Sequence, residues 1–284
     1  MSIRLVANSY GKSSIRLTKV TRHADRHDIT ELAVDIAVEG DFAATYLTGD
    51  NRQVIATDTM RNTVYALAAD HALSSPENFA LDLSAHFLDR NAHVTAATVR
   101  CAATPWNRIG TAHGPHRHSF VGGGAERRTC RIRRTRETVA VQTGLTGLPL
   151  LKTTDSEFRG FLRDELTTLP ETDDRIFATL LDAEWTYSAG ATLDWNAEYD
   201  RILAAMLAVF ADHKSLSVQQ TLYAMGEAAL EVCPAAGSIH LEMPNQHRIP
   251  FNLQPLGKPN RNEIFVTTRE PFGLITATLA RETR

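Results

Sequence analysis

Twice along this chain the hydrophobic period reads two, two, 3.6, 3.6, two, two, and an order of strand-strand-helix-helix-strand-strand leaves few ways to build a core. In the first half, two long β-like segments, about Ile3 to Arg22 and Asp28 to Thr48, are carried by Ile15, Leu17 and Lys19 and by Leu32, Val34, Ile36 and Val38 at a spacing of two. Helical stretches follow at Thr59 to Ala72 and Ser75 to Leu88. In the second of these Pro76 suits the first helical position, and Phe79, Leu83 and Phe87 fall on one stripe. Further β-like stretches, His93 to Arg108 and His118 to Gln142, close the half.

The second half repeats the order. A short strand near Leu148 to Lys152 and another from Arg175 to Ser188 precede a helix that starts from Asp194 as N-cap, with Tyr199, Ile202, Leu203, Met206, Leu207 and Phe210 on one stripe. A second helix begins near Ser217 and carries Leu222, Met225, Ala229, Leu230 and Cys233; closing strands run about Ser238 to Leu253 and Glu263 to Ala280. These elements predict an α+β chain of two tandem domains, 1–142 and 143–284, each an antiparallel sheet with a helix pair on one face. Long strands with a second face to cover favour closing into a multi-subunit β-barrel, which removes exposed edges, so oligomerisation is expected from the architecture.

Composition narrows the function classes. At 284 residues the chain can bury a sizeable core, and 43% hydrophobic with 22% charged residues suits a globular protein. A net charge of -3 advertises neither nucleic acid nor an anionic membrane as partner. No N-terminal apolar core precedes a cleavage site, and no apolar run approaches the roughly 20 residues that span a bilayer, so a cytoplasmic location is expected. Cys101, Cys130 and Cys233 are odd in number and lack CxxC spacing, which predicts reduced, buried thiols.

One stretch breaks the periodicity. From Asp155 to Arg175 the chain has neither helical nor strand period, and long structureless connections in compact domains usually serve a ligand. It carries Phe158 and Arg175, a flat apolar ring and a flat cationic fork, which together suit a planar anionic heterocycle.

Other candidates are individually weak. Thr57-Asp58-Thr59 stands just before a helix, where a cap and a site are both open readings. Lys12 follows Tyr10-Gly11 in a strand, as a solvated lysine beside a bulge also would. Asn245-Gln246-His247 after Pro244 interrupts a strand, and Val218-Gln219 opens a helix whose free N–H groups favour an anion. The His113, His116 and His118 group contains a Gly-Pro turn and no following acid at ligand spacing, so a polar hairpin loop is expected there and no metal site. Arg127, Arg128, Arg131, Arg133, Arg134 and Arg136 read as a strand with a basic face, such as would line a polar channel. Neither phosphate-cradling glycine motif is present.

Taken together the pieces resemble the urate oxidase (uricase) family over nearly the whole chain. The resemblance rests on Tyr10-Gly11-Lys12, Val54 through Thr59 with Asn62 to Tyr65, Ser156-Glu157-Phe158, Gly160 to Asp164, Asp174-Arg175-Ile176, Ser217-Val218-Gln219, Pro244 to His247 and Gly273-Leu274-Ile275, in that order. It implies tandem tunnelling-fold domains, dimers that close a barrel, and a homotetramer with active sites at subunit interfaces. It implies oxidation of urate by O2 and water to 5-hydroxyisourate and hydrogen peroxide, with neither metal nor organic cofactor.

Residue by residue, Arg175 and Gln219 resemble the pair that grips urate's pyrimidine edge, Phe158 the ring that stacks on it, and Val218 the backbone group that adds a hydrogen bond. Thr57 and Asp58 resemble the pair that reaches the ligand from a neighbouring subunit, Asn245 the residue facing the oxygen or water site, and Lys12, Thr57 and His247 the proton-relay triad. Gln246 stands where relatives often carry lysine, and Asp173 where they often carry an aromatic residue or threonine; neither departure removes a catalytic group. Two other readings stay open at this stage. One is a metal-dependent purine- or pterin-handling enzyme of the same fold using the histidine group, the other a non-catalytic purine-binding tetramer.

Overall fold

Apolar residues at a spacing of two build the first sheet, as seen in a computed structural model that describes residues 3–188 and 193–282. Strand β1 (Tyr10–Arg22) pairs antiparallel with β2 (His27–Gly40), setting Ile15 opposite Val34 and Leu17 opposite Leu32. After the short helix α1 (Ala43–Leu47) come α2 (Thr57–Asp70) and α3 (Pro76–Arg90), then β3 (Val94–Thr104) against β2. Strands β4 (Trp106–Thr111) and β5 (Gly114–Gly122) form a separate hairpin, β6 (Arg127–Thr135) pairs with β3, and β7 (Val139–Lys152) follows. In the order β1-β2-β3-β6 the buried face presents Val34, Ile36, Val99, Cys101, Cys130 and Ile132 to Met60 and Val64 of α2 and Phe79, Leu83 and Phe87 of α3.

The chain falls into two compact units, Met1–Gly144 with Thr186–Asn196, and Leu145–Trp185 with Ala197–Arg284. The second unit holds the end of β7, β8 (Phe177–Tyr187), α4 (Trp195–Asp212) from Ala197 on, α5 (Val218–Val232), β9 (Ala236–Asn245), the short pair β10 (Arg248–Pro250) and β11 (Phe265–Thr267), and β12 (Gly273–Ala280). Its strand order is β7-β8-β9-β12, with Met243 opposite Ile275 and Leu241 opposite Ala277. Ile202, Met206 and Phe210 of α4 and Leu222, Met225 and Leu230 of α5 are buried, as are Ile239, Leu241 and Met243 of β9. The helix starts follow capping chemistry. The side chains of Ser75 and Ser217 accept from Asn78 and Gln220 N–H, and the Asp194 carboxylate accepts from Asn196 N–H at 3.1 Å.

Antiparallel sheets with few helices therefore match the expected class, while several boundaries differ. Residues 3–9 carry no strand, and the second β-like segment stops at Gly40, so that its tail is α1. Pro105 and the Gly122-Gly123-Gly124 run split the next two stretches, freeing the β4–β5 hairpin, and the strand expected at Leu148 to Lys152 is the end of β7. Each expected closing strand divides into two pieces: β9 and β10 part at Gln246-His247, and β11 and β12 part over residues 268–272, where Pro271 has no N–H to give a ladder.

The arginine run is not a single basic face. Alternation along β6 sends Arg128 and Arg134 toward α3, onto Glu77 and Ser84, while Arg131 and Arg133 meet Gln142 and Glu39. His116 and His118 lie on β5 with ring centroids 4.7 Å apart, and no three metal-ligating side chains converge among the described residues. All three cysteines are buried free thiols, and no described helix is long and apolar enough to cross a membrane.

Candidate active site

The aperiodic stretch has no helix or regular strand from 153 to 176, yet its backbone is tightly held. Glu157 N–H donates to Ser215 O at 2.8 Å and Ser215 N–H to Asp155 O at 2.9 Å, lashing the stretch to the turn before α5. Phe158 and Thr172 exchange backbone bonds of 2.9 and 3.1 Å, and Arg175 N–H donates to Ser156 O at 2.7 Å. Those bonds fold the segment back on itself, so two residues 17 positions apart by number come together: the Arg175 guanidinium carbon stands 5.2 Å from the Phe158 ring centroid. Phe161 stacks nearly parallel on Phe158, at 4.9 Å and 11°, and the Arg163 guanidinium lies 5.5 Å over Phe161.

Arg175 is the electrostatic centre of this group. It is partly buried, and burial pushes its guanidinium below the ordinary value. No carboxylate reaches ion-pair distance of it among the described residues. Nearby acids are otherwise engaged: Asp173 pairs with Arg159, Glu157 with Lys214 at 3.2 Å, and Asp174 accepts from the Thr154 hydroxyl at 2.9 Å.

The start of α5 adds donors. Ser217 caps the third N–H of the helix, that of Gln220, and its carbonyl accepts from Thr221 N–H at 3.2 Å. Helix geometry therefore leaves the N–H groups of Val218 and Gln219 as the ones without an intrahelical acceptor. The Gln220 side chain reaches back to Leu216 N–H at 2.9 Å, so the turn is braced in the manner of a capping box. Val218 is buried and the Gln219 side chain is exposed.

At the end of β9, Asn245 pairs with Gly273 of β12, and Gln246 N–H donates to Ala178 O at 2.8 Å. That bond brings Asn245-Gln246-His247 beside the start of β8, three residues after Arg175. His247 O accepts from Thr268 N–H at 3.1 Å, which orients the peptide that bears the imidazole. The second unit thus gathers Phe158, Arg175, Val218, Gln219, Asn245 and His247 around β8 and the α5 N-terminus.

The first unit gathers the rest. Lys12 sits on β1 opposite Ile36, immediately before a register shift, where Ser14 adopts φ 58° and its N–H donates to the Asp35 carboxylate at 2.6 Å. A side chain at Gly11 would meet the Ile36 carbonyl oxygen at 1.7 Å, so glycine is required between Tyr10 and Lys12. Thr57 and Asp58 are the first two residues inside α2, and the N-cap is Ala56, which offers no side-chain acceptor. Thr57 is therefore not a cap, and among the described residues its hydroxyl has no hydrogen-bond partner. The Asp58 carboxylate is held by Arg61 at 2.7 Å and Asn62 at 3.1 Å, in the first turn where the helix dipole favours an anion.

The sequence reading missed Phe161, whose signal was only an aromatic three residues after Phe158, and Ser215, whose backbone anchors the stretch. Among known proteins, a family model described as uricase matches residues 8–133 and 141–276. The chain is 42% identical over 275 residues to the uricase of Arthrobacter globiformis, covering 97% of this chain and 89% of that protein. It is 34% identical over 281 residues to the Dictyostelium discoideum uricase, covering 98% and 97%. The crystal structure of Arthrobacter globiformis uricase matches with a TM-score of 0.95 at 41% identity, across 100% of this chain and 97% of that one.

Proposed function

The chain belongs to the uricase family and is a urate oxidase, an oxidoreductase, and from that premise we propose how its own residues bind urate and move its protons. The observation that carries the reading is Arg175: a half-buried guanidinium beside an aromatic ring, with no acid partner among the described residues, next to a helix start with open N–H groups. Urate is planar and anionic. A guanidinium offers it two parallel donors, Phe158 a stacking face, and Val218 and Gln219 further hydrogen bonds.

In this reading Arg175 and Gln219 hold the pyrimidine edge, and Val218 N–H adds a third donor. Thr57 and Asp58 reach the same ligand from a neighbouring subunit, and Asn245 faces the oxygen or water site. Deprotonated urate is electron-rich and passes two electrons to O2; addition of water to the oxidised ring then gives 5-hydroxyisourate, and the reduced oxygen leaves as hydrogen peroxide. The protein's part is to take and return protons while stray water is kept out. Lys12, Thr57 and His247 form the relay: the lysine and imidazole exchange protons, and the Thr57 hydroxyl, both donor and acceptor, connects them. No metal or organic cofactor takes part.

The same reading has two tunnelling-fold domains, 1–142 and 143–284, dimers closing a β-barrel, and a cytoplasmic homotetramer whose sites form where subunits meet. The test follows urate loss and oxygen uptake together in chelator-treated protein, with peroxide assayed at the end. Equal consumption with one peroxide formed per urate supports it; activity that returns only with added metal overturns cofactor independence.

A further inference from the structure

We propose that Tyr10 is a positioning residue for this reaction: its phenol oxygen holds the turn that delivers Thr57 to the relay. The inference rests on the reading of Lys12 and Thr57 given above. Tyr10 opens β1 two residues before Lys12, and side chains at that spacing on a strand share a face. Its hydroxyl accepts from Ile55 N–H at 2.7 Å, across 45 residues of sequence, and Ile55 is two residues before Thr57. One side chain thus links the strand that carries Lys12 to the turn that carries Thr57.

That turn needs an outside tie. Helices are ordinarily entered through a Ser, Thr, Asp or Asn cap, and α2 has Ala56 in that position with no side-chain cap bond. The tyrosine ring is in turn fixed by an edge contact with Phe42, with centroids 4.8 Å apart at 86°, and Phe42 is only 1% exposed. Phe42 meets His93 edge-on at 5.4 Å behind it. Burial of the ring pushes the Tyr10 phenol up.

The rest of α2 is tied to β1 by other means. The Tyr65 hydroxyl donates to Arg16 O at 2.9 Å, and the Lys19 ammonium donates to the carbonyls of Ala68, Ala69 and His71 at 2.8, 3.0 and 2.7 Å. These bonds hold the body and C-terminal end of the helix. Tyr10 holds the end where the chemistry is, and a displacement of about 1 Å at a reacting group is enough to cost on the order of 100-fold in rate.

Tyr10→Phe keeps the ring and deletes the acceptor. In the purified full-length enzyme, kcat for urate is expected to fall about tenfold and the solvent deuterium isotope effect on kcat to rise, as proton transfer becomes slower, with KM changed less than about twofold. Tyr65→Phe removes a comparable tie from the far part of the same helix; it is expected to cost similar stability in a urea titration while kcat stays within about twofold of the parent. A Tyr10→Phe enzyme with kcat and isotope effect unaltered overturns the proposal, as does an equal loss of kcat in both variants. Thr57→Ala measured alongside separates the possible failures: full turnover there overturns the relay reading and this inference with it, whereas lost turnover with an unaffected Tyr10→Phe overturns the role of Tyr10 alone.

Discussion

Replacing Arg175 with methionine removes a charge while keeping much of the stem's volume, and the structure assigns opposite signs to its effects on binding and on folding. In the protein without ligand the guanidinium is partly buried, with the Phe158 ring 5.2 Å away and no carboxylate in reach among the described residues. A base whose folded pKa is depressed destabilises the fold at every pH below that value, so the penalty is in force at neutrality. The ring returns about 0.5–1 kcal/mol of cation–π attraction, and solvent screening of a group that is not fully buried reduces both terms. The unliganded variant is therefore expected to be as stable as the parent, or more so by up to about 1 kcal/mol.

Urate binding moves the other way. Two charge-assisted hydrogen bonds, each worth about 1.5–3 kcal/mol, disappear together, for a loss of about 3–6 kcal/mol or roughly 150- to 25,000-fold in affinity. Anaerobic calorimetric titration with urate reads the affinity, and denaturation midpoints with and without urate read both effects at once. Ligand stabilises in proportion to the logarithm of concentration over Kd, so the urate-induced shift should collapse in the variant. Binding within about threefold of the parent, or an unliganded variant that loses more than about 1 kcal/mol, would show that Arg175 is a structural cation and refute the argument.

Two further perturbations separate fold from site. Arg128→Ala leaves Glu77, 0% exposed, with the Thr143 hydroxyl at 3.0 Å as its remaining side-chain donor; a loss of about 3–5 kcal/mol is expected in urea titration, and the double change Glu77→Leu with Arg128→Met should recover most of it. Ser217→Ala deletes the α5 cap, costing about 1 kcal/mol, and by loosening the turn that presents Val218 and Gln219 it should raise KM for urate; an unchanged KM would detach that helix start from the substrate.

Much of the core was legible because period and burial are local properties. Leu32, Val34, Ile36 and Val38 sit on the buried face as their spacing of two requires, and Phe79, Leu83 and Phe87 line one side of α3. Ser75, Asp194 and Ser217 cap helices as their side chains suit. Breaks in strands were less legible: the closing segments part at Gln246-His247 and over 268–272 around Pro271, yet Pro244 stays inside β9, since a proline is tolerated wherever its missing donor would face no acceptor. The arginine run misled for a similar reason. Alternation predicts two faces, and only the packed neighbours Glu77, Ser84, Gln142 and Glu39 decide that charges on both are matched.

By itself the sequence determined the order of the main elements, the apolar faces, the starts of α3, α4 and α5, and the aperiodic stretch from Asp155 to Arg175. Each is set by a residue's own stereochemistry or that of neighbours a few positions away. Only the tertiary structure decided that Phe158, Arg175, Val218 and His247 share one neighbourhood, that Arg175 has no acid partner among the described residues, and that Tyr10 reaches Ile55. Those are contacts across tens of residues, and their energies exist once the backbone hydrogen bonds of Ser156, Ser215 and Ala178 have brought the segments together.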